Sequence, residues 1–123
     1  MPPPQLLLPV LQKIKSAYLL WYGYYQKLPR VHRYTLGERI DFLFIEIIEA
    51  IACASFSLKF EKGPYLRLAI RKLDTLKILL MVLWESKSID TTKYATLSAL
   101  LEEIGRMLGG WMKGVETKTP APR

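Results

Sequence analysis

Apolar residues recur at three- and four-residue spacing in four stretches of this 123-residue chain, which is the spacing of one face of an α-helix. The four stripes are Val10, Ile14, Ala17, Trp21, Tyr25 and Leu28; Leu36, Ile40, Leu43, Ile47, Ala50 and Ala54; Leu66, Ala69, Leu73, Leu76, Leu80 and Leu83; and Tyr94, Leu97, Leu101, Ile104, Leu108 and Trp111. Helices of about 20 residues with connectors of about five to seven favour antiparallel neighbours. The pattern predicts an all-α fold, an antiparallel up-down-up-down four-helix bundle.

Residues that stop or start helices mark the boundaries of these stretches. Pro29 cannot continue the first helix, and Thr35 precedes Glu38 by three residues, the spacing of a capping box at the start of the second helix. Pro64 is well accommodated in the first turn of the third helix, and Asp90 is a favourable N-cap for the fourth. The connectors are therefore predicted at these positions.

The chain divides into a Pro-rich extension at residues 1–9, one bundle domain at 10–115 and a mobile tail at 116–123. Cys53 is the only cysteine, so no intrachain disulfide can form, and the start of the chain does not resemble a secretory leader. We therefore expect a cytoplasmic protein. The longest apolar run, at 78–84, is far shorter than the roughly 20 residues that span a bilayer, so we expect no membrane partner.

The helices carry more apolar residues than one bundle core requires. Beside the stripes lie Leu20, Tyr24, Phe42, Ile45, Ile48, Ile78, Leu79 and Val82. Such a surplus is typical of a subunit or partner interface, and a monomer with an apolar surface is the alternative. On the last helix, Gly105 and Gly109 stand one turn apart and indicate either local close packing or a notch at an interface.

The residues that carry chemistry do not form a catalytic set. A metal site in a bundle needs inward Glu together with Glu-x-x-His pairs, but the only histidine, His32, lies in a connector, and Glu46 and Glu49 have no imidazole beside them. Cys53 falls among apolar residues and is interpreted as a small packing residue. No phosphate-binding or dinucleotide glycine pattern occurs. We therefore predict a protein that is not an enzyme and that has no metal and no cofactor; a metal-dependent bundle enzyme is the remaining catalytic alternative.

Basic residues are the main functional candidates, because Lys and Arg outnumber Asp and Glu by 18 to 11 and the net charge is +7. Arg67 and Arg71 share the outward face of the third helix, where like charges four residues apart destabilise a helix by roughly 0.2–0.5 kcal/mol. Lys72 and Lys77 flank this face, and a polyanion backbone is held by such distributed charge. An ordinary solvated helix face is the alternative.

A second basic patch is formed by Arg30, His32 and Arg33 in the first connector. An ordinary exposed loop accounts for these residues equally well.

Two stretches resemble the accessory variability determinant (Avd) proteins of diversity-generating retroelements. The connector Arg33-Tyr34-Thr35-Leu36-Gly37 is similar to a wider four-helix family that includes proteins encoded in ribosomal-RNA intervening sequences. The late stretch Glu103-Ile104-Gly105-Arg106-Met107-Leu108-Gly109-Gly110-Trp111 is similar to Avd in particular.

The resemblance implies a homopentameric barrel with a positive surface that binds the retroelement's reverse transcriptase and RNA or DNA, and that supports error-prone complementary-DNA synthesis without catalysing it. It also implies that Arg71, Lys72 and Lys77, with Arg67 and Arg106 as further candidates, belong to the nucleic-acid-binding surface. The alternative is a structural bundle associated with ribosomal RNA.

Overall fold

A computed structural model describes residues 9–118 of the chain, and this part consists of helices joined by short connectors. The helices are α1 (Pro9–Gln26), α2 (Arg30–Arg33), α3 (Leu36–Phe56), α4 (Lys62–Glu85) and α5 (Thr91–Lys118), with a 3-10 turn at Lys59–Glu61. Helix α1 packs against α3 and α5, and α4 packs against the same two helices. The predicted four-helix bundle is confirmed, with the short α2 added in the first connector.

Contacts between neighbouring helices show the antiparallel order. Tyr18 packs edge-on against Phe44 with ring centroids 5.7 Å apart, while Trp21, one turn later in α1, donates a hydrogen bond to the carboxylate of Asp41, earlier in α3. Residue numbers rise in one helix as they fall in the other, so α1 and α3 run in opposite directions. No helix within residues 9–118 has the length and hydropathy needed to cross a bilayer.

The core contains most of the predicted stripes. Every stripe residue of α4 is buried, and the other stripes are buried except for Tyr25, Leu36, Tyr94 and Trp111, which are half-buried against the core. Burial of each large aliphatic or aromatic side chain contributes roughly 1.5–3 kcal/mol, so this continuous core is what holds the four helices together.

A polar contact between α1 and α3 adds to the core. The Nε1 of Trp21 lies 3.2 Å from the Oδ1 of Asp41, and the indole ring stacks on Phe44. The phenol of Tyr18 shares the same carboxylate. Burial, together with the hydrogen bond to Asp41, raises the pKa of Tyr18 to about 12.

The capping box predicted at Thr35 is wrong. The Thr35 hydroxyl makes no cap hydrogen bond to α3 and instead donates to the carbonyl of Val31, 3.1 Å away. The reason is α2, which was not predicted: it offers the hydroxyl a carbonyl four residues back, a common competitor for threonine side chains. The N-cap predicted at Asp90 is confirmed, because its Oδ1 accepts the backbone N–H of Lys93 at 2.8 Å.

The connector from α4 to α5 is closed by an unusual residue. The backbone N–H of Lys87 bonds to the carbonyl of Trp84, and that of Ser88 bonds to Leu83. Lys87 has a φ of 70°, in the left-handed region that favours glycine. A non-glycine residue therefore completes the end of α4.

The end of α5 differs from the predicted tail. Helix α5 continues to Lys118, so residues 116–118, which were assigned to the tail, are helical. Residues 1–8 of the predicted extension and 119–123 of the predicted tail lie outside the described residues.

The exposed apolar residues are only partly those that the sequence predicts: five of the eight predicted ones are half-buried, whereas others that were not predicted, such as Val31 and Phe60, are exposed. Leu20, Tyr24, Ile45, Ile48 and Leu79 are half-buried within the chain itself. Phe42, Ile78 and Val82 are exposed as expected, and Leu19, which sequence reasoning missed, is 67% exposed.

Candidate nucleic-acid interface

The outward face of α4 presents two arginines to solvent. Because the core stripe occupies one side of α4, residues 67 and 71 point away from the bundle, and both Arg67 and Arg71 are exposed. Neither guanidinium has a carboxylate within ion-pair distance among the described residues. The Arg67 guanidinium folds back toward Gly63, where a Cβ would lie 3.4 Å from its Nη1. These two cations are therefore available to an external anion.

Lys72 and Lys77 lie beside this face, at the two seams of α4, which are its interfaces with α3 and with α5. Each of the two lysines has an acidic partner. The Nζ of Lys72 is 3.3 Å from Glu46 of α3, a carboxylate that also lies 3.8 Å from Arg39. The Nζ of Lys77 is 3.3 Å from Glu102 of α5. Both lysine side chains are largely covered, so they tie α4 to its neighbours and contribute less positive potential than the arginines.

The first glycine of the late motif allows Lys77 to reach its partner. A Cβ on Gly105 would lie 3.2 Å from the Nζ of Lys77 and 3.5 Å from Leu73. Gly109 is different, because a Cβ there would meet no atom within 4 Å. Of the two meanings predicted for this glycine pair, close packing applies to Gly105, while Gly109 leaves an open position beside the exposed Arg106.

The second basic patch does not present three free cations. Arg30 is exposed, but His32 hydrogen-bonds through Nδ1 to the hydroxyl of Ser88, and Arg33 donates from Nη2 to the carbonyl of Leu28 at 2.9 Å. His32 thus joins the α1–α3 connector to the α4–α5 connector, and Arg33 stabilises the chain just after α1. The structure places these residues in one region, but Arg30 alone of the three is exposed and has no polar side-chain partner among residues 9–118.

Comparison with protein-family models adds a decisive observation to this geometry. Residues 8–115 match the model of the bAvd-like family, which covers the whole described bundle except its last turn. The chain belongs to the bAvd-like family. No curated protein matches the sequence.

In this bAvd-like bundle, Lys62 lies at the end where α3 stops and α4 begins, and its contact with α5 was not predicted from the sequence. The Nζ of Lys62 donates to the carbonyls of Ala54 and Ser57 and lies 5.9 Å from the centroid of the Trp111 ring. The family resemblance singled out Trp111, and Lys62 precedes the basic face, but no local spacing relates residues so far apart. Their contact follows from the register of α4 and α5.

The remaining reactive side chains are not gathered into a site. Cys53 is exposed, so its assignment as a packing residue is wrong; it falls on the outward side of α3, where the neighbouring apolar residues point inward. Within residues 9–118, no group of His, Cys, Asp and Glu is arranged to hold a metal ion. The pKa values that shift belong to tyrosines of α1, where burial raises those of Tyr24 and Tyr25 as well as Tyr18.

Proposed function

We propose that this protein is a non-catalytic accessory protein of a diversity-generating retroelement. In this role it binds the reverse transcriptase and RNA or DNA, and it supports the mutagenic complementary-DNA synthesis of retrohoming in the cytoplasm. The family match supports the Avd-type assignment. The observation that carries the nucleic-acid part is the outward face of α4, where Arg67 and Arg71 have no acidic partner within the described residues.

Arginine suits this role because its planar guanidinium binds phosphate oxygens through two parallel hydrogen bonds. Arg106 of α5 is exposed as well and is a further candidate for phosphate contact. Lys72 and Lys77 support the outward face of α4 from the seams, since they hold α4 against α3 and α5. We therefore expect binding that is strongly salt-dependent and that reads the backbone rather than the base sequence.

Paired variants test this division of roles. Arg67→Ala with Arg71→Ala should weaken RNA binding, measured by fluorescence anisotropy, and reduce the slope of log affinity against log salt, without lowering the melting temperature. Lys72→Met with Lys77→Met is the matched control, because it removes the same charge from ion-paired positions, and it should weaken binding less. Equal losses in both pairs, or none in the arginine pair, would reject the arginine face as the contact surface.

The exposed apolar residues support assembly of several copies, and we propose a homopentamer. Leu19, Phe42, Ile78 and Val82 are between 42% and 67% exposed in the single chain, so contact with other copies would remove their apolar surface from water. Multi-angle light scattering should give a mass five times the 14.2 kDa of one chain. A single species of monomeric mass would contradict the proposal.

The polymerase partnership is tested separately by co-purification. A reverse transcriptase encoded beside this chain should co-elute with this protein. The error frequency of the polymerase should change when this protein is added to it. A gene placed within a ribosomal-RNA insertion, with no polymerase bound, would instead favour the alternative of a ribosomal-RNA-associated bundle. The family match favours the retroelement role.

A further inference from the structure

A basic and aromatic cavity lies at the end of the bundle where α4 begins and α5 approaches its end. Its volume is about 330 Å³, and it is lined by Lys59, Lys62, Trp111, Gly114 and Val115. This volume is within the range for small-molecule sites, roughly 300–1,000 Å³, so it is large enough for one planar ring. We call these five residues the Trp111 cavity.

The tryptophan is a fixed wall of this cavity. Trp111 is half-buried and packs against the core, so one part of the indole is held while the rest is accessible. Lys62 is fixed too, because its ammonium donates to Ala54 O at 2.6 Å and to Ser57 O at 2.8 Å. The cavity is therefore preorganised, which lowers the entropy lost when a ligand binds.

Two lysines bring positive charge to the cavity. No ion pair between described residues involves Lys59 or Lys62, although Glu61 lies between them in sequence and Glu116 follows Val115. Lys59 is exposed, and its ammonium has no partner among the described residues. An anionic group attached to a planar ring is the ligand chemistry that these residues match.

Two exposed aromatic residues lie close in sequence to the lysines of the cavity. Phe56 and Phe60, which precede α4 together with Lys59, are 62% and 67% exposed. Aromatic side chains interleaved with lysines are the arrangement on which single-stranded nucleic acids stack their bases. Arg67 and Arg71 follow Lys62 by five and nine residues in α4, which is about 7.5 Å and about 13.5 Å along the helix axis.

We propose that the Trp111 cavity receives one unpaired base of a single-stranded nucleic acid, with the ring against Trp111 and the neighbouring phosphate at Lys59. This inference rests on the proposed nucleic-acid binding and adds to it a preference for unpaired over duplex strands. A base inside a duplex is stacked and paired, so it cannot enter the cavity. The arginine face, in contrast, contacts backbone phosphates of either form.

The test compares oligothymidylate with an abasic oligonucleotide of the same length and charge, using fluorescence anisotropy and the full chain. Stacking contributes roughly 1–3 kcal/mol per base, so oligothymidylate should bind at least about fivefold more tightly than the abasic strand. Trp111→Leu should remove this advantage while leaving abasic and duplex binding unchanged.

A second variant avoids any loss of core packing. A Cβ on Gly114 would meet no atom within 4 Å, so Gly114→Leu fills the cavity and should also remove the advantage of oligothymidylate. Gly110→Leu is the matched control: Gly110 is equally open and on the same helix, but it does not line the cavity. This control should keep the advantage.

The possible outcomes separate this inference from the proposed function. If no oligonucleotide binds, the proposed nucleic-acid binding itself fails. If oligothymidylate, the abasic strand and a duplex bind equally and Trp111→Leu changes nothing, the base site is wrong. Binding by the arginine face is not contradicted by that result. A change in oligomeric mass in Trp111→Leu would show that another subunit covers the cavity. Loss of polymerase binding alone would show that a protein side chain fills it. Either of these two results overturns the base site.

Discussion

Replacing Gly37 with alanine tests how the first connector is packed against α3. A Cβ at this position would lie 2.7 Å from Leu28 Cδ1 and 2.9 Å from the carbonyl oxygen of His32. It would also lie 3.1 Å from the Tyr25 ring, whereas ordinary van der Waals contact begins at 3.4 Å. Leu28 is 2% exposed and one obstacle is backbone, so neither moves aside easily. Glycine in this motif is therefore required by close approach.

The expected magnitude combines two opposed effects. Overpacking a tight site typically costs about 1–3 kcal/mol, while alanine in place of glycine favours a helix by up to about 1 kcal/mol. Gly37→Ala should therefore lower the free energy of unfolding by about 1–2 kcal/mol. Gly23 of α1 is the matched control, because a Cβ there meets no atom within 4 Å. Gly23→Ala should raise the free energy of unfolding by about 0.5–1 kcal/mol.

Urea denaturation followed by circular dichroism measures both variants at one protein concentration, since assembly adds to apparent stability. The two substitutions are chemically identical, so opposite signs isolate the effect of the connector. A Gly37→Ala protein as stable as the wild type would refute the reasoning, because it would mean that the connector shifts at no cost.

Three further predictions concern helix ends and pH. Asp90→Ala should destabilise the protein by about 1 kcal/mol in urea denaturation, because it removes the N-cap of α5, whereas Thr35→Ala should cost less since its hydroxyl does not cap α3. Lys87→Gly should stabilise the protein by about 0.5–1 kcal/mol by relieving the left-handed backbone, and an unchanged midpoint would contradict this. The raised pKa of Tyr18 means that folding favours the neutral phenol, so its contribution is complete below pH 10.0 and is lost as the pH rises toward about 12. Tyr18→Phe should therefore flatten the loss of stability in that alkaline window.

The fold was predictable because the patterns that indicate each helix lie within that helix or at its ends. A stripe such as Leu66, Ala69 and Leu73 follows from the 3.6-residue period alone, and the Asp90 cap follows from one residue and the helix after it. The prediction of a capping box at Thr35 was wrong for a reason that is also local. A four-residue helix is too short to show periodicity, yet it supplied the carbonyl that captured the hydroxyl.

The candidate site was less predictable because it depends on the register between helices. Spacing along α4 shows that Arg71 and Lys72 are adjacent in sequence, but it does not show that Glu46 of α3 lies beside one of them. The contact of Lys62 with Trp111 has the same origin, since it joins the first turn of α4 to a late turn of α5. Only the packed bundle sets which cations are neutralised and which are not.

The outward face of α4 is positive because the nearby carboxylates of α3 and α5 pair with other cations at the seams of α4. Glu46 lies near two cations, Arg39 and Lys72, and Glu102 is occupied by Lys77, so these carboxylates face the seams and not Arg67 and Arg71. An acid four residues from either arginine would stabilise the helix by roughly 0.2–0.5 kcal/mol, whereas the arginine pair repels by a similar amount. Asp74, three residues after Arg71, offsets part of this repulsion, although no ion pair joins it to either arginine among the described residues. An anionic partner that contacts both guanidinium groups reverses the sign of this cost, which makes the face easier to explain as a binding surface than as a solvated one.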